Sequence, residues 1–413
     1  MNGGKRFFIS NSAHPCTEIA LDANRIRLFY LANGWQETVT PGEADDIIVS
    51  TCAVNQQYED AAMQDLQQRQ SQRKPGSRLI STGCLSRINP QRISPLPNLL
   101  EVPPLELERF NELVPGNHRM QDVDGHAVRL DDYQANPLFA RLVRIRGKLE
   151  QLGDQFGIRL VPHWMATIPS RNWYFIRGST GCLGHCTYCA VRRAKGRLRS
   201  TPLEVILQQL RQAVAAGARE ISLAGDDMGA WGTDIGSNLA ELLSHMISVP
   251  GDFRINLRFV EPVFFLRFLD ALLPVFATGR VSAFCLPLQS GSNHVLERMG
   301  RDYRIEEVEA GLARFATVAN RPRLASIIMV GFPGETESDY FASCRLLDRL
   351  PIDLYQVLMY EGRPGTPSIA MSNQIPTAVK QERHDRLLRK FKLQKVVGIP
   401  ASLANRLAGL SLS

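Results

Sequence analysis

Three cysteines lie in one short segment of the sequence, Cys182, Cys186 and Cys189, separated by three and then two residues. Thiolates at this spacing can bind three irons of a [4Fe–4S] cube, which leaves the fourth iron without a protein ligand. The alternative is a zinc site, which needs a fourth Cys or His nearby. His185 is inside the loop, between the thiols. The spacing therefore favours an iron–sulfur cluster with one open iron.

A second set of cysteines is dispersed in the sequence: Cys16, Cys52 and Cys84 each follow a predicted strand. In an open parallel sheet the loops at the carboxyl ends of the strands converge on one crevice, so three such thiolates could hold a second cluster. Free cysteines are also often small buried apolar residues, and position alone leaves both interpretations open. Cys285, in the middle of a strand, and Cys344, on a helix, are interpreted as thiols without a ligand role.

The elements that must position these cysteines alternate between strand and helix, which indicates an α/β protein. The N-terminal part reads as an open parallel α/β domain, with strands at 7–12, 46–51 and 77–82 and helices at 19–32 and 56–73. The later part has six strands, with helices such as 202–216 and 305–319 between them: 173–178, 220–225, 253–260, 281–288, 324–331 and 352–359. Six βα units predict a partial (βα)6 barrel whose reactive end is the carboxyl end of its strands.

We expect four segments in the chain. These are an N-terminal domain at 1–120, a linker or insertion at 121–170, the partial barrel at 171–370 and a helical C-terminal tail at 371–413. The linker includes a charged helical stretch near 137–155, and it is either functional or a plain spacer. The region from 368 to 398 reads mainly as one helix.

The cysteine loop, with Tyr188 at the aromatic position, resembles the radical S-adenosylmethionine (SAM) superfamily. The segments 46–54 and 82–85, which contain Cys52 and Cys84, are similar to the second and third cysteine motifs of the methylthiotransferase family. The resemblance implies SAM and two [4Fe–4S] clusters, one on each set of three cysteines. It implies that the first cluster cleaves SAM to a 5′-deoxyadenosyl radical. The second cluster would supply sulfur to an unactivated C–H bond, and a second SAM would supply the methyl group.

Residues at the ends of the barrel strands are the candidate contacts to SAM and substrate. Asp226 and Asp227 follow the second strand, where carboxylates can accept hydrogen bonds from the SAM ammonium; a solvated turn is the alternative. Glu261 follows the third strand and is either such a ligand or a helix cap. Gln289 lies in a Gln-Ser-Gly-Ser motif similar to that of tRNA-modifying members of the family, and it could bind a nucleoside. Gly331 would let the backbone approach adenine.

The composition is ordinary for a globular chain, with 44% hydrophobic residues, 22% charged residues and a net charge of +7. No apolar run reaches the roughly 18 residues of a membrane span, and the N-terminus lacks the apolar core of a signal peptide. We therefore expect a cytoplasmic protein with reduced thiols and no membrane partner. A basic run after the cluster loop either contacts phosphates or forms a solvated edge: Arg192, Arg193, Lys195, Arg197 and Arg199.

The resemblance implies a macromolecular substrate, either a tRNA adenosine or a polypeptide, together with a sulfur source and an electron donor such as flavodoxin or ferredoxin. Family members usually carry a C-terminal β-barrel, the TRAM domain, and the residues after Pro367 are too few for its five strands. That difference favours a polypeptide or metabolite, whereas the Gln-Ser-Gly-Ser motif favours tRNA. Two other interpretations stay open: a radical enzyme whose second cluster only transfers electrons, and a non-enzymatic iron–sulfur sensor or RNA-binding module.

Overall fold

The computed structural model describes residues 4–10, 16–129, 137–156, 160 and 173–410. Within these ranges the strands are β1 (Arg6–Ser10), β2 (Gln36–Glu37), β3 (Asp46–Thr51), β4 (Arg78–Gly83), β5 (Leu99–Val102), β6 (Ala127–Arg129), β7 (Trp173–Arg177), β8 (Ser179–Thr180), β9 (Arg199–Ser200), β10 (Glu220–Ala224), β11 (Arg254–Phe259), β12 (Val281–Gln289), β13 (Arg323–Val330) and β14 (Leu354–Met359). Residues 11–12 of the first predicted strand and most of 157–172 lie outside the described residues.

The described α-helices are α1 (Thr17–Ala32), α2 (Gln56–Gln72), α3 (Leu85–Ile88), α4 (Pro90–Ile93), α5 (Phe110–Leu113), α6 (Pro137–Phe156), α7 (Val191–Lys195), α8 (Leu203–Ala215), α9 (Leu239–Ile247), α10 (Pro262–Arg267), α11 (Leu269–Ala277), α12 (Asn293–Met299), α13 (Ile305–Ala316), α14 (Glu337–Arg349), α15 (Thr377–Phe391) and α16 (Ala401–Leu407). Short 3-10 turns stand at Pro41–Glu43, Pro104–Arg109, Met120–Asp122 and Pro367–Ala370.

The N-terminal domain is built on a sheet in the order β2-β1-β3-β4-β5. All of its neighbouring strands are parallel, so the loops after β3 and β4 leave the sheet at the same edge. Beneath the sheet, Tyr30 packs against Phe7, Trp35 and Phe110 with ring centroids 4.7 to 6.0 Å apart. The predicted open parallel domain is confirmed.

The larger domain has a sheet in the order β14-β13-β12-β11-β10-β7-β6. From β7 to β14 the six long strands are parallel and follow chain order, as a partial (βα)6 barrel requires. Phenylalanines 265, 276, 284 and 315 form an aromatic centre between this sheet and its helices. The predicted barrel is confirmed. Strand β6, which comes from the predicted linker, adds an antiparallel strand beside β7.

The two domains pack directly against each other at two helices. On α1, Ala20 and Leu21 share a buried apolar cluster with Trp173 and Phe175 of β7. On the other side, Ala194 of α7 and Ala190 just before it join the apolar cluster that contains Cys84, Leu85 and Ile88. The carboxyl edge of the N-terminal sheet is therefore held against the reactive end of the barrel.

The C-terminal segment differs from the single helix predicted for 368–398. After the turn Pro367–Ala370, α15 begins at Thr377, directly after Pro376, and a π-helical stretch follows at Lys392–Val397. A proline cannot lie inside a helix without losing a backbone hydrogen bond, so Pro376 sets the start of α15. This helix packs on the barrel, where Phe391 contacts Tyr355 with ring centroids 5.0 Å apart. None of the described helices is long and apolar enough to cross a bilayer.

Candidate iron–sulfur active site

The first cysteine loop leaves the barrel at the end of β7. Strands β8 and β9 pair antiparallel and close the base of the loop. The Gly184 N–H donates to Cys182 Sγ at 3.1 Å. A Cβ at Gly184 would lie 3.2 Å from Cys182 Sγ and 3.7 Å from Cys186 Sγ, so both sulfurs flank this glycine. Any side chain there would crowd the space that the two sulfurs face.

The second set of cysteines meets at one edge of the N-terminal domain, as the strand order predicts. Cys16 precedes α1, and Cys52 and Cys84 follow β3 and β4. Burial raises the pKa of Cys52, and the charges of Cys16 and Cys84 raise it further. Burial also raises the pKa of Cys84 to about 12, with a smaller contribution from the charge of Cys16. The three thiols are thus within electrostatic reach of one another.

Both sets of cysteines remain candidate ligands of a cube with one open iron. All six thiols are free of disulfide bonds. Among the described residues, no three His, Cys, Asp or Glu side chains are grouped as they would be around a single metal ion. In a cube each thiolate binds a different iron, so its ligands stand further apart than those of a single ion. Burial and the charge of Asp227 raise the pKa of Cys182 to about 12, so binding of a cluster must release thiol protons.

Asp226 lies between the two sets of cysteines. Its Oδ2 accepts a hydrogen bond from the Gly181 N–H at 2.8 Å, immediately before the first cysteine of the barrel loop. Its charge also reaches the other domain, where burial is the main cause of the raised pKa of Cys16 and Cys84 and Asp226 adds to both. Asp226 is therefore close to both candidate cluster sites, one in each domain.

Asp227 and Glu261 lie together in the barrel. Asp227 Oδ1 accepts hydrogen bonds from the N–H groups of Gly229 at 2.9 Å and Glu261 at 3.1 Å. Its other oxygen, Oδ2, is buried and has no hydrogen-bond partner among the described residues. Burial raises the pKa of Asp227 to about 6 and that of Glu261 to about 7. An acceptor without a partner suits a ligand that brings its own N–H donors, such as an ammonium group.

Arg301 joins several of these groups, and the sequence interpretation missed it. Its Nη2 lies 2.8 Å from Glu261 Oε1 and donates to the Pro287 carbonyl at 2.6 Å. Its Nη1 donates to Cys186 Sγ at 3.4 Å and to Tyr188 Oη at 3.5 Å. In the sequence, Arg301 carries no local sign of these contacts. One guanidinium thus links a candidate cluster ligand, the aromatic residue and a carboxylate.

The remaining predicted contacts lie at the same end of the barrel. The Tyr188 ring packs edge-on against Phe332, with centroids 6.1 Å apart. Gln289 is buried with a φ of 63°, and its Oε1 has no partner in the described part of the chain. At Gly331, with a φ of 76°, a Cβ would lie 2.4 Å from Lys380 Cγ. Lys380 of α15 therefore explains this glycine, and the contact of Gly331 with adenine stays a prediction.

The members of the basic run after the cluster loop differ in their contacts and in their exposure. Arg192 Nη1 donates to the Gly184 carbonyl at 2.9 Å, and Arg193 donates to the Pro364 carbonyl. Lys195 is buried, with 3% of its surface exposed. Arg197 and Arg199 are exposed. Only part of this run is therefore available to a phosphate backbone, and the rest holds the loop in place.

A three-cysteine loop at the reactive end of a partial parallel barrel defines an iron–sulfur protein of the radical SAM class. Comparison with known families agrees: the Radical SAM superfamily matches residues 176–347, and Uncharacterized protein family UPF0004 matches residues 12–101. Among solved structures, the radical SAM methyltransferase TsrM of Kitasatospora setae has a TM-score of 0.60 at 12% identity and covers 88% of this chain and 77% of its own. The cobalamin-dependent SAM radical enzyme OxsB has a TM-score of 0.53 at 14% identity, covering 97% and 57%. These structures establish the fold alone.

Curated relatives are similar over most of the chain. A protein of Pyrococcus horikoshii described as a probable threonylcarbamoyladenosine tRNA methylthiotransferase is 32% identical over 392 residues, which cover 94% of this chain and 84% of the relative. The Thermotoga maritima and human proteins with that activity in their names are each 29% identical and cover 85% and 87% of this chain. The match covers 74% of the Thermotoga protein and 58% of the human one. The chain belongs to the methylthiotransferase family of radical SAM enzymes, and it is a transferase that uses SAM and [4Fe–4S] clusters.

We expect Arg301→Met to slow the formation of 5′-deoxyadenosine by about 10- to 100-fold, the usual effect of losing a group that orients metal ligands. The change removes the donor to Cys186 and the ion partner of Glu261. The measurement is product formation with SAM and dithionite, at equal iron content. Arg304→Met is the matched control, because the Arg304 side chain is 69% exposed and forms an ion pair with the exposed Glu306. If both variants formed 5′-deoxyadenosine at the same rate, Arg301 would have no role in the cleavage of SAM.

Proposed function

We propose that this protein methylthiolates an adenosine of tRNA. In this proposal Cys182, Cys186 and Cys189 bind the cluster that cleaves SAM, and Cys16, Cys52 and Cys84 bind the cluster that supplies sulfur. The observation that carries the proposal is the position of Asp226, which hydrogen-bonds the barrel loop and whose charge reaches the cysteines of the other domain. A reaction that forms a substrate radical and then transfers sulfur to it needs two clusters close to each other.

The bound cofactors supply a 5′-deoxyadenosyl radical, which abstracts hydrogen from an unactivated C–H bond. The residues of the chain would hold and orient the reactants. The oxygen of Asp227 that has no partner among the described residues and the carboxylate of Glu261 would accept hydrogen bonds from the SAM ammonium. Arg301 fixes Glu261 and the Cys186 thiolate at the same time. Tyr188, Gln289 and Gly331 are the proposed contacts to the rest of SAM or to the substrate nucleoside.

The substrate proposal draws on the relatives. Their names specify threonylcarbamoyladenosine in tRNA, and this chain matches 84% of the length of the Pyrococcus horikoshii protein. Exposed Arg197 and Arg199, beside the cluster loop, provide positive charge where a phosphate backbone would approach. The reaction also needs an electron donor such as flavodoxin or ferredoxin and a sulfur source, and we place the enzyme in the cytoplasm, where tRNA is found.

The test is mass spectrometry of nucleosides from the tRNA of cells with and without this gene. We expect threonylcarbamoyladenosine in both, and its methylthio derivative only in cells that carry the gene. Re-expression of the wild-type chain should restore the derivative, whereas re-expression of the Cys186→Ala variant should not. An unchanged nucleoside profile, together with a methylthio group lost from a ribosomal protein of the same cells, would replace tRNA by a polypeptide as the substrate.

A further inference from the structure

Two cations of the barrel domain, Lys195 and Arg363, are buried beside the cysteines of the N-terminal domain. Their side chains are only 4% and 5% exposed. Lysine and arginine are almost never buried this deeply unless they are paired. Each cation does meet an acid, but that acid belongs to the other domain and lies close in sequence to one of the cysteines. Through these ion pairs, two cations of the barrel domain are held close to the second cluster site.

Lys195 approaches the site from α7. Its Nζ lies 3.5 Å from Oδ2 of Asp22. Asp22 is on α1, six residues after Cys16. Asp22 is shared, because Arg177 Nη2 holds the other oxygen at 2.7 Å. Ala194, next to Lys195 on α7, packs in the same buried cluster as Cys84. Burial raises the pKa of Cys16 and Cys84, and the charge of Lys195 is the largest influence that opposes it.

Arg363 approaches from the loop after β14. It forms an ion pair with Glu59 of α2, the helix that begins four residues after Cys52. Glu59 also meets Arg92, whose Nη1 is 3.1 Å away, so one buried carboxylate faces two cations. The Nε of Arg363 is buried without a hydrogen-bond partner among the described residues. Burial lowers the pKa of Arg363, and the charge of Cys52 is the influence that opposes it.

Positive charge beside an iron–sulfur cluster affects its reduction potential. A cube held by three thiolates becomes more negative when it accepts an electron, and net charge nearby is one of the factors that set its reduction potential. In a buried, weakly screened environment a cation favours the reduced state. Asp22 and Glu59 offset part of this effect, but they also fix the two cations in position.

We propose that the positive charges of Lys195 and Arg363 raise the reduction potential of the second cluster. The barrel domain would thereby control the redox state of a cluster bound by the N-terminal domain. The inference rests on the proposed function, in which Cys16, Cys52 and Cys84 bind that cluster.

The test uses the full chain with Cys182, Cys186 and Cys189 all replaced by alanine, so that the second cluster is its only redox centre. Reconstituted protein should hold about four irons, those of a single cube. If this folded protein held no iron, the proposed function would fail, and that result is distinct from a failure of the present inference. The midpoint potential is then measured by a redox titration followed by electron paramagnetic resonance.

We expect Lys195→Met to lower this potential and Lys195→Arg to restore most of it, because the charge returns. Lys390→Met is the matched control: Lys390 is fully buried and lies 2.9 Å from Asp348, but its neighbouring thiol is Cys344. The control should lose stability without a change in potential. An unchanged potential in Lys195→Met, or an equal change in both variants, would overturn the proposal.

A second pair of variants covers loss of the cluster from Lys195→Met. Arg363→Met should also lower the potential, whereas Arg383→Met, which breaks a buried ion pair with Glu335 on the barrel, should not. If Lys195→Met and Arg363→Met both lost their iron while both controls kept it, these cations would hold the cluster instead of tuning it. That result would also contradict the proposal.

Discussion

Replacing Cys186 by alanine is expected to abolish both the formation of 5′-deoxyadenosine and the methylthiolated product. Cys186 is one of three candidate ligands in its loop, and its sulfur also accepts a hydrogen bond from Arg301 at 3.4 Å. With one thiolate missing, the cube loses a protein ligand in addition to the iron left open for SAM. The measurement is chromatography of a reaction that contains SAM, dithionite and substrate tRNA, with iron analysis of the same sample.

The matched control for this prediction is Cys285→Ala, which removes a thiol from β12 of the same barrel. It should keep the iron content and both activities of the wild-type protein. The fold of each variant is compared by thermal unfolding, because loss of a metal centre can destabilise the segment that it cross-links. Formation of 5′-deoxyadenosine at the control rate in Cys186→Ala would show that this loop does not hold the radical cluster.

The elements that carry the cysteines could be predicted from the sequence because their signals are local. Strands β3 and β4 are short runs that end one residue before Cys52 and Cys84, and parallel strands place such ends at one edge. Each of the six barrel strands is also separated from the next by one or two helices. Strand order then follows from short connections between neighbouring parallel strands. The meeting of three distant thiols is therefore a consequence of topology, which the pattern contains.

The polar contacts within the site were not predictable in this way. Arg301 contacts Cys186, which is 115 residues away in the sequence, and the residues around each of them do not indicate this contact. From the sequence, Lys195 is one member of a basic run that either contacts phosphates or is solvated, yet α7 places it in the domain contact. Lys380 fills the space beside Gly331 only because α15 folds back on the barrel. Such contacts depend on how whole elements pack, and periodicity in the sequence does not record that packing.

The two cysteine sets should differ in what they support, and Cys84→Ala measures the difference. Three contacts to the radical loop all come from the barrel domain: Asp226 to the Gly181 N–H, Arg301 to Cys186 and the Met299 carbonyl to the Thr187 N–H at 2.9 Å. We therefore expect Cys84→Ala to keep about four of about eight irons. It should form 5′-deoxyadenosine at close to the wild-type rate, yet make no methylthiolated nucleoside.

Cys344→Ala is the matched control for this second prediction, because Cys344 is buried like Cys84 but lies on α14 of the barrel. Both substitutions remove one buried sulfur, so a general loss of packing should affect them alike, at about 1 kcal/mol of unfolding free energy. Only Cys84→Ala should lose half of its iron. If Cys84→Ala kept full methylthiolation, the second cluster would not be the sulfur donor. If it lost 5′-deoxyadenosine formation as well, the second cluster would instead carry electrons to the first.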